Sequence, residues 1–501
     1  MIPLERVLKN RPESKGSFID GRWRVERRAS GSFEVNSPAN VEWSLPSVPF
    51  YFDHIDEAMR SAHAAFRSWR QHGPGARAEY IEEFGRELEK RADDLARTMA
   101  VESGKTLDEC VAEVGALRNK IRISIDEGLA LVAPRETDLG NGSRGQVHHL
   151  PKGVFVVLGP FNFPVHLSHG HIIPALLSGN VCILKPSEKV PYSAQLYIEA
   201  AAAADFPAGV LQLLQGPGEV GMRLAKHAST NGVLATCSFE VGSKISRELA
   251  DTPEKVLALE MGGKNAALVW DGADLDKVAG DLIRSSFLTT GQRCSALSRV
   301  YVKPDLLDAL TGKVHALAKE LVISHPFDDE PKPFMGPLIS AAAKEKFLRY
   351  ASIAEAEDGA TTIMRSKPLE GTSRLSRKPL PAGHYVTPSL VRLEKWNPKS
   401  AYQSHELFGP DLFFCPVGSV EEGVTAINSS HYGLVASVFG GNEDFFNRVA
   451  KDIECGLIYW NRPTVGASSR LPFGGWKHSG NGHPAGLFAI YCSTQVQTRI
   501  L

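Results

Sequence analysis

Three stretches carry residue types suited to carbonyl chemistry. In Phe287–Ser295 (FLTTGQRCS), Cys294 follows Gly291, Gln292 and Arg293 just after a predicted helix. The thiolate is the nucleophilic form of cysteine, and a neighbouring guanidinium is expected to lower the thiol's pKa. In Leu259–Asn265 (LEMGGKN), Glu260 ends the apolar run Val256–Leu259. A carboxylate at the C-terminal edge of a strand lies where open α/β sheets place their sites, and it can act as a general base. In Gly159–Pro164 (GPFNFP), Asn162 follows another strand and offers an NH2 donor that could hold an oxyanion. Taken singly, each reads equally as an inert cysteine, a solvated turn glutamate or a turn asparagine.

Other motifs point to a nucleotide. Lys185–Glu188 (KPSE) directly follows a strand, so an ammonium and a carboxylate could bracket the hydroxyls of an adenosine ribose. A glutamate there repels a 2′-phosphate and favours NAD over NADP. Glu406–Pro410 (ELFGP) and Pro472–Gly482 (PFGGWKHSGNG) would each pass alone as a loop. Gly216–Gly221 (GPGEVG) matches GxGxxG, but the acidic residue expected at the end of the next strand is missing, so it reads as a decoy. His166, His169 and His171 have a spacing that could suggest zinc. No acidic or thiol ligand has an evident role beside them, so they read as core or tunnel-lining residues and no metal is expected.

The elements that position these residues follow from hydrophobic periodicity. Helices are predicted over Ile55–Gln71, Ala78–Ser103 and Leu107–Leu131. From Gly153 the pattern alternates, with strands at Val154–Leu158, Val181–Leu184, Val210–Leu214, Val233–Thr236, Val256–Leu259 and Ala266–Trp270. Helix-length segments separate the first five, the mark of βαβ units and a parallel sheet. A second alternating region runs from Asp274 to about Asn461, opening with a helix over Asp274–Thr290 and a strand over Ser298–Val302. The last residues, Tyr491–Leu501, read as extended.

Bulk properties narrow the classes. A chain of 501 residues can hold two or three domains without disulfide or metal support. Its 56 basic and 57 acidic residues leave no basic excess to attract nucleic acid or an anionic membrane. Seven scattered cysteines with no CxxC pair fit reduced thiols, and neither a signal peptide nor a spanning run is present. A cytoplasmic protein is expected.

In this order the motifs closely resemble the aldehyde dehydrogenase family over nearly the whole chain from about Phe18. Gly291–Cys294 matches that family's G-Q-x-C nucleophile motif, Leu259–Lys264 its L-E-x-G-G-K motif, and Asn162 its oxyanion asparagine. By resemblance, Lys185 and Glu188 hold the adenosine ribose, Glu406 grips the nicotinamide ribose, and Phe408 packs near its ring. Pro160, Phe161 and Gly242 join them as cofactor residues, with the pyrophosphate at the helix starting near Ser238. The chain departs from the family where Phe-Thr-Gly-Ser is usual, reading Ala235-Thr236-Cys237-Ser238.

The resemblance implies an α/β fold with three parts. These are a Rossmann-like NAD-binding domain (1–139 and 152–258), an α/β catalytic domain (259–458), and a small β oligomerisation element (140–151 and 485–501). Residues 459–484 return to line the active-site tunnel. It also implies a hydrolytic, NAD-dependent aldehyde dehydrogenase assembled as a homodimer or homotetramer. Glu260 opposes an acylating variant that passes the thioester to coenzyme A or phosphate, and the intact trio opposes a non-catalytic binding relative. Asn119–Ile125, Asn162–Leu176, Asp328–Ser340 and Tyr459–Gly475 are similar to members that oxidise a succinylated glutamate semialdehyde, with succinic or glutamic semialdehyde as alternatives. Lys120, Ser468, Ser469 and Arg470 are the candidate partners for such a substrate's carboxylates.

Overall fold

A computed structural model describes residues 3–357 and 359–501. The apolar runs after Gly153 form five parallel strands: Val154–Leu158, Val181–Lys185, Leu211–Leu213, Gly232–Thr236 and Val256–Glu260. Their spatial order, third-second-first-fourth-fifth, puts a topological switch between Val154–Leu158 and Gly232–Thr236. In such sheets the crevice for ligands opens at the carboxyl ends of the strands flanking the switch. Two short antiparallel strands, Ser17–Ile19 and Arg22–Arg24, extend the far edge. The fifth strand runs through Glu260, so the expected domain boundary after residue 258 falls inside it.

A second seven-stranded sheet has Leu297–Val302 and Asn265–Val269 in its middle, flanked by Asp411–Pro416 and Val435–Phe439. All its strands are parallel except Ala360–Met364 at one edge. Strands such as Val154–Leu158 and Asn265–Val269 are buried almost throughout, because helices cover both sheet faces. The fold class is α/β, as the alternation predicts.

The third sheet joins Arg135–Gly140 and Ser143–Pro151, a hairpin turning at Asn141-Gly142, to the C-terminal strand Thr494–Ile500. Among the described residues no helix is long and apolar enough to cross a membrane.

Three helices differ from the periodicity. Ala78–Ser103 is two helices, Pro74–Lys90 and Ala92–Ser103, broken at Arg91 with φ −104° and ψ 8°. Neither glycine nor proline marks the break. The Arg91 guanidinium folds back to the Glu87 carbonyl at 3.1 Å. The third helix runs Leu107–Ile123 and then widens into a π turn, Ser124–Gly128. Asp274–Thr290 ends at Phe287, because Thr289 and Thr290 adopt left-handed φ of 56° and 55°. A hairpin, Gly31–Ser37 with Asn40–Phe50, lies in a segment where the periodicity predicts no element.

Candidate active site

A cleft of about 460 Å³ opens at the topological switch. Pro160, Phe161 and Asn162 enter it from the exit of the first parallel strand, Lys185 and Glu188 from that of the second. Ser238 comes from the fourth, and Cys294, Glu406 and Phe408 stand on the side of the second sheet. The Phe161 and Phe408 rings meet edge to face at 5.8 Å.

The Cys294 loop is held in a strained conformation. A β-branched residue in the left-handed region costs of order 1–3 kcal/mol, and two in a row precede Gly291. Hydrogen bonds offset this strain: Thr289 Oγ1 donates to Glu109 at 2.6 Å and Thr290 Oγ1 to the Gly336 carbonyl at 2.9 Å. Beyond the bend, Asn265 Nδ2 donates to the carbonyls of Cys294 (2.7 Å) and Ala296 (2.8 Å). The glycine pair of LEMGGKN leaves room for this arrangement. A Cβ on Gly263 would stand 2.7 Å from the Cys294 carbonyl, and one on Gly262 would collide with the Glu406 carboxylate.

Arg293 favours the Cys294 thiolate only weakly, despite its place in the sequence. Its guanidinium pairs with Glu109 at 2.8 Å and lies 5.0 Å over the Phe163 ring. Burial, with Glu260 and Glu406 nearby, pushes the Cys294 thiol up to about 12. In these surroundings Cys294 is a neutral thiol at pH 7.

Asn162 is buried, and one N–H of its amide donates to the Gln292 carbonyl at 2.9 Å. An amide carries two N–H donors, so the second stays free for an incoming oxygen. The loop behind it is fixed by Glu113, whose carboxylate accepts from the N–H groups of Val165 and His166 at 3.2 and 3.0 Å. Glu260 is 4% exposed, and among the described residues neither carboxylate oxygen has a partner. Burial alone raises its pKa well above the usual carboxylate range. An acid held this way can take a proton near neutral pH.

The nucleotide residues are arranged less uniformly. Lys185 and Glu188 form an ion pair at 3.6 Å with the ammonium buried and the carboxylate half-exposed. Glu406 accepts from the Gly263 N–H at 2.9 Å and is pushed up to about 7 by burial. Ser238 caps the helix Phe239–Glu248, whose first-turn N–H groups face the cleft side and leave donors for an anion. Gly242 does not line the cleft. It lets this helix pack against Met261, into whose sulfur a Cβ would run. Conversely, Gly218 and Gly221 of the motif read as a decoy do line it, and Gly221 permits close packing on Leu158 and Lys185. Cys237 also lines the cleft.

Lys346 is a lining residue that sequence reasoning missed. It lies on the helix Ala341–Glu355, in no motif, and near enough to Glu406 and Glu240 for its charge to favour both carboxylates, though burial still leaves Glu406 raised. Only the packing of the second sheet's helices brings it there.

Of the substrate candidates, Lys120 is buried and donates to the Gly486 carbonyl at 2.8 Å. Arg470 is exposed and paired with Glu127 of the π turn at 2.8 Å. Ser468 is exposed, its hydroxyl accepting from the Arg470 N–H, and Ser469 is half-buried beside it. The three histidines diverge. His169 bonds Tyr197 and the Leu117 carbonyl, His171 meets Thr236 at 3.4 Å, and His166 Nδ1 has no partner.

The sequence pattern of the aldehyde dehydrogenase family matches residues 25–499. The N-succinylglutamate 5-semialdehyde dehydrogenase of Caulobacter sp. is 36% identical over 485 residues, 96% of each chain. That of Novosphingobium aromaticivorans is 36% identical over 444 residues, 88% of this chain and 91% of the relative. Among solved structures, the NAD+ complex of an aldehyde dehydrogenase from Bacillus cereus superposes with a TM-score of 0.90 at 26% identity. The superposition covers all of this chain and 99% of the other.

Proposed function

The chain belongs to the aldehyde dehydrogenase family, and from that premise we propose that it oxidises N-succinylglutamate 5-semialdehyde to N-succinylglutamate with NAD, in arginine degradation. The observation that carries the reaction is the gathering of Cys294, Asn162 and the Lys185–Glu188 pair around one cleft, with Glu260 buried at the end of an adjoining strand. The substrate follows from the relatives, which are N-succinylglutamate 5-semialdehyde dehydrogenases.

The Cys294 thiol gives its proton to solvent, and the resulting thiolate sulfur bonds to the aldehyde carbon. The carbonyl oxygen takes the electron pair, held by the free N–H of Asn162 and the backbone N–H of Cys294. Lys185, Glu188 and Glu406 would hold NAD in this cleft, where it would supply the acceptor for the hydride. Cys294 is left as a thioester, Glu260 takes a proton from water as the water attacks, and the acid leaves with the thiolate restored. A base placed for water fits hydrolysis rather than transfer to coenzyme A or phosphate.

Assembly as a homodimer or homotetramer is part of the same reading. Thr494–Ile500 sits at the edge of its sheet with Val496, Ile500 and Leu501 exposed, and an open strand edge of this kind invites pairing with another chain.

NADH absorbance over an aldehyde panel tests the reaction and substrate together. The highest kcat/KM is expected for succinylglutamate semialdehyde, ahead of succinic and glutamic semialdehydes and plain aliphatic aldehydes. A preference for uncharged aliphatic aldehydes overturns the substrate and leaves the reaction standing.

A further inference from the structure

Two lysine ammonium groups are buried near the Asn162 loop, and they are treated differently. Lys105 pairs with Glu113 at 2.6 Å. Lys120, 3% exposed, has only the Gly486 carbonyl, and among the described residues no carboxylate lies close enough to raise its pKa. Burying a cation without an anion is costly, so such groups normally lie opposite a counter-charge.

Two further polar groups near Lys120 lack partners among the described residues. Ser124 Oγ lies one helical turn on, and its residue is 3% exposed. His166 Nδ1 stands on the first turn of the helix His166–Leu177, which packs against both the lysine's helix and the π turn. The Lys120 charge is felt by His166, His169 and His171, which places it against that helix.

This cluster adjoins the chemistry from outside the cofactor cleft, whose lining contains none of these residues. Gly486 and Ala485 pair with Pro472 and Phe473 in a short antiparallel ribbon. Phe473, Tyr459 and Cys294 all pack against one apolar cluster, Leu434, Val435 and Leu457. His166 follows Asn162 by four residues.

We propose that Lys120, with Ser124 and His166, is the carboxylate-binding end of the aldehyde site, and that an acidic aldehyde supplies the anion this ammonium lacks. The proposal rests on the acidic-semialdehyde reading above. The ammonium and the hydroxyl donate to a carboxylate remote from the aldehyde carbon, and the imidazole adds a third donor through whichever nitrogen carries its proton.

The test compares kcat/KM for succinylglutamate semialdehyde with that for butanal, as a ratio, in the wild type, Lys120→Met, Lys120→Arg and Ser124→Ala. The ratio is expected to fall about 30-fold or more in Lys120→Met, mostly through KM, with partial recovery in Lys120→Arg and a several-fold fall in Ser124→Ala. The unmodified enzyme supplies a second readout that needs no variant to fold. Burial pushes the Lys120 ammonium down to about 8, so the ratio should decline as pH rises past that value and the charge is lost. His169 and His171, pushed down to about 3 and about 4, and His166, also lowered by burial, stay neutral over this range. Titration of Cys294 and Glu260 cancels in the ratio. A ratio flat with pH, or unchanged in Lys120→Met, overturns the proposal while a wild-type preference for acidic aldehydes keeps the substrate reading. A wild type without that preference removes the substrate reading itself.

Discussion

Glu109 Oε1 accepts from Arg293 Nη2 at 2.8 Å and from Thr289 Oγ1 at 2.6 Å, across 184 and 180 residues of sequence. One carboxylate thus ties the strained bend before Cys294 to the helix Leu107–Ile123 and pairs the charge of Arg293. Glu113, one turn along that helix, fixes the Asn162 loop in the same way. Nucleophile and amide donor are registered against a single helix.

Glu109→Ala should therefore loosen the loop. Breaking this mostly buried pair is expected to cost about 3 kcal/mol of stability, and the freed bend about 10²-fold in kcat. Urea unfolding and steady-state kinetics check both. Lost stability with an unchanged kcat would confine Glu109 to supporting the fold.

Glu260→Gln should separate the two halves of the reaction. Hydride transfer needs no water, so a rapid NADH burst followed by slow turnover is expected in stopped-flow traces. Because burial raises the Glu260 pKa, the active carboxylate form grows as pH rises, and kcat should climb with pH above the ordinary carboxylate range. The variant should lose that climb. Disappearance of the burst as well as turnover would place the base elsewhere.

Asn162→Ala removes the only side-chain donor assigned to the oxyanion. Loss of one such donor lowers kcat by about 10²–10³-fold with a smaller effect on KM. An effect confined to KM would make Asn162 a ground-state binding residue.

Glu188 sets cofactor choice if it faces the adenosine ribose. The wild type should use NAD with at least about tenfold higher kcat/KM than NADP, and Glu188→Ala should narrow that gap. Equal use of the two cofactors by the wild type would sink the assignment.

Cys237 lines the cleft where the family usually has glycine, and burial pushes its thiol up to about 12, so it would oppose a pyrophosphate bound there by bulk and not by charge. Cys237→Gly is expected to lower the NAD Kd several-fold in titration calorimetry. An unchanged or higher Kd would show that the cleft is shaped around the cysteine.

Sequence alone was enough to identify Cys294, Glu260, Asn162, Lys185, Glu188 and Glu406 as candidates. Glu260, Asn162, Lys185 and Glu188 sit at or just after strand ends, and strand periodicity is a local property of the chain; Cys294 and Glu406 were legible through the local motifs that hold them. The parallel strands were legible for the same reason, being short apolar runs bounded by turns. The break at Arg91 was not, since it depends on one side chain folding back rather than on a helix-breaking residue. Where Arg293 points, why Gly242 is needed, and that Lys346 reaches the cleft were all decided by contacts between segments far apart in sequence. So were the charge states: Glu260, Cys294 and Lys120 are ordinary residue types whose pKa values move because the folded chain strips water from them and leaves their polar atoms few partners or none. Burial belongs to the packed whole, and no stretch of sequence carries it by itself.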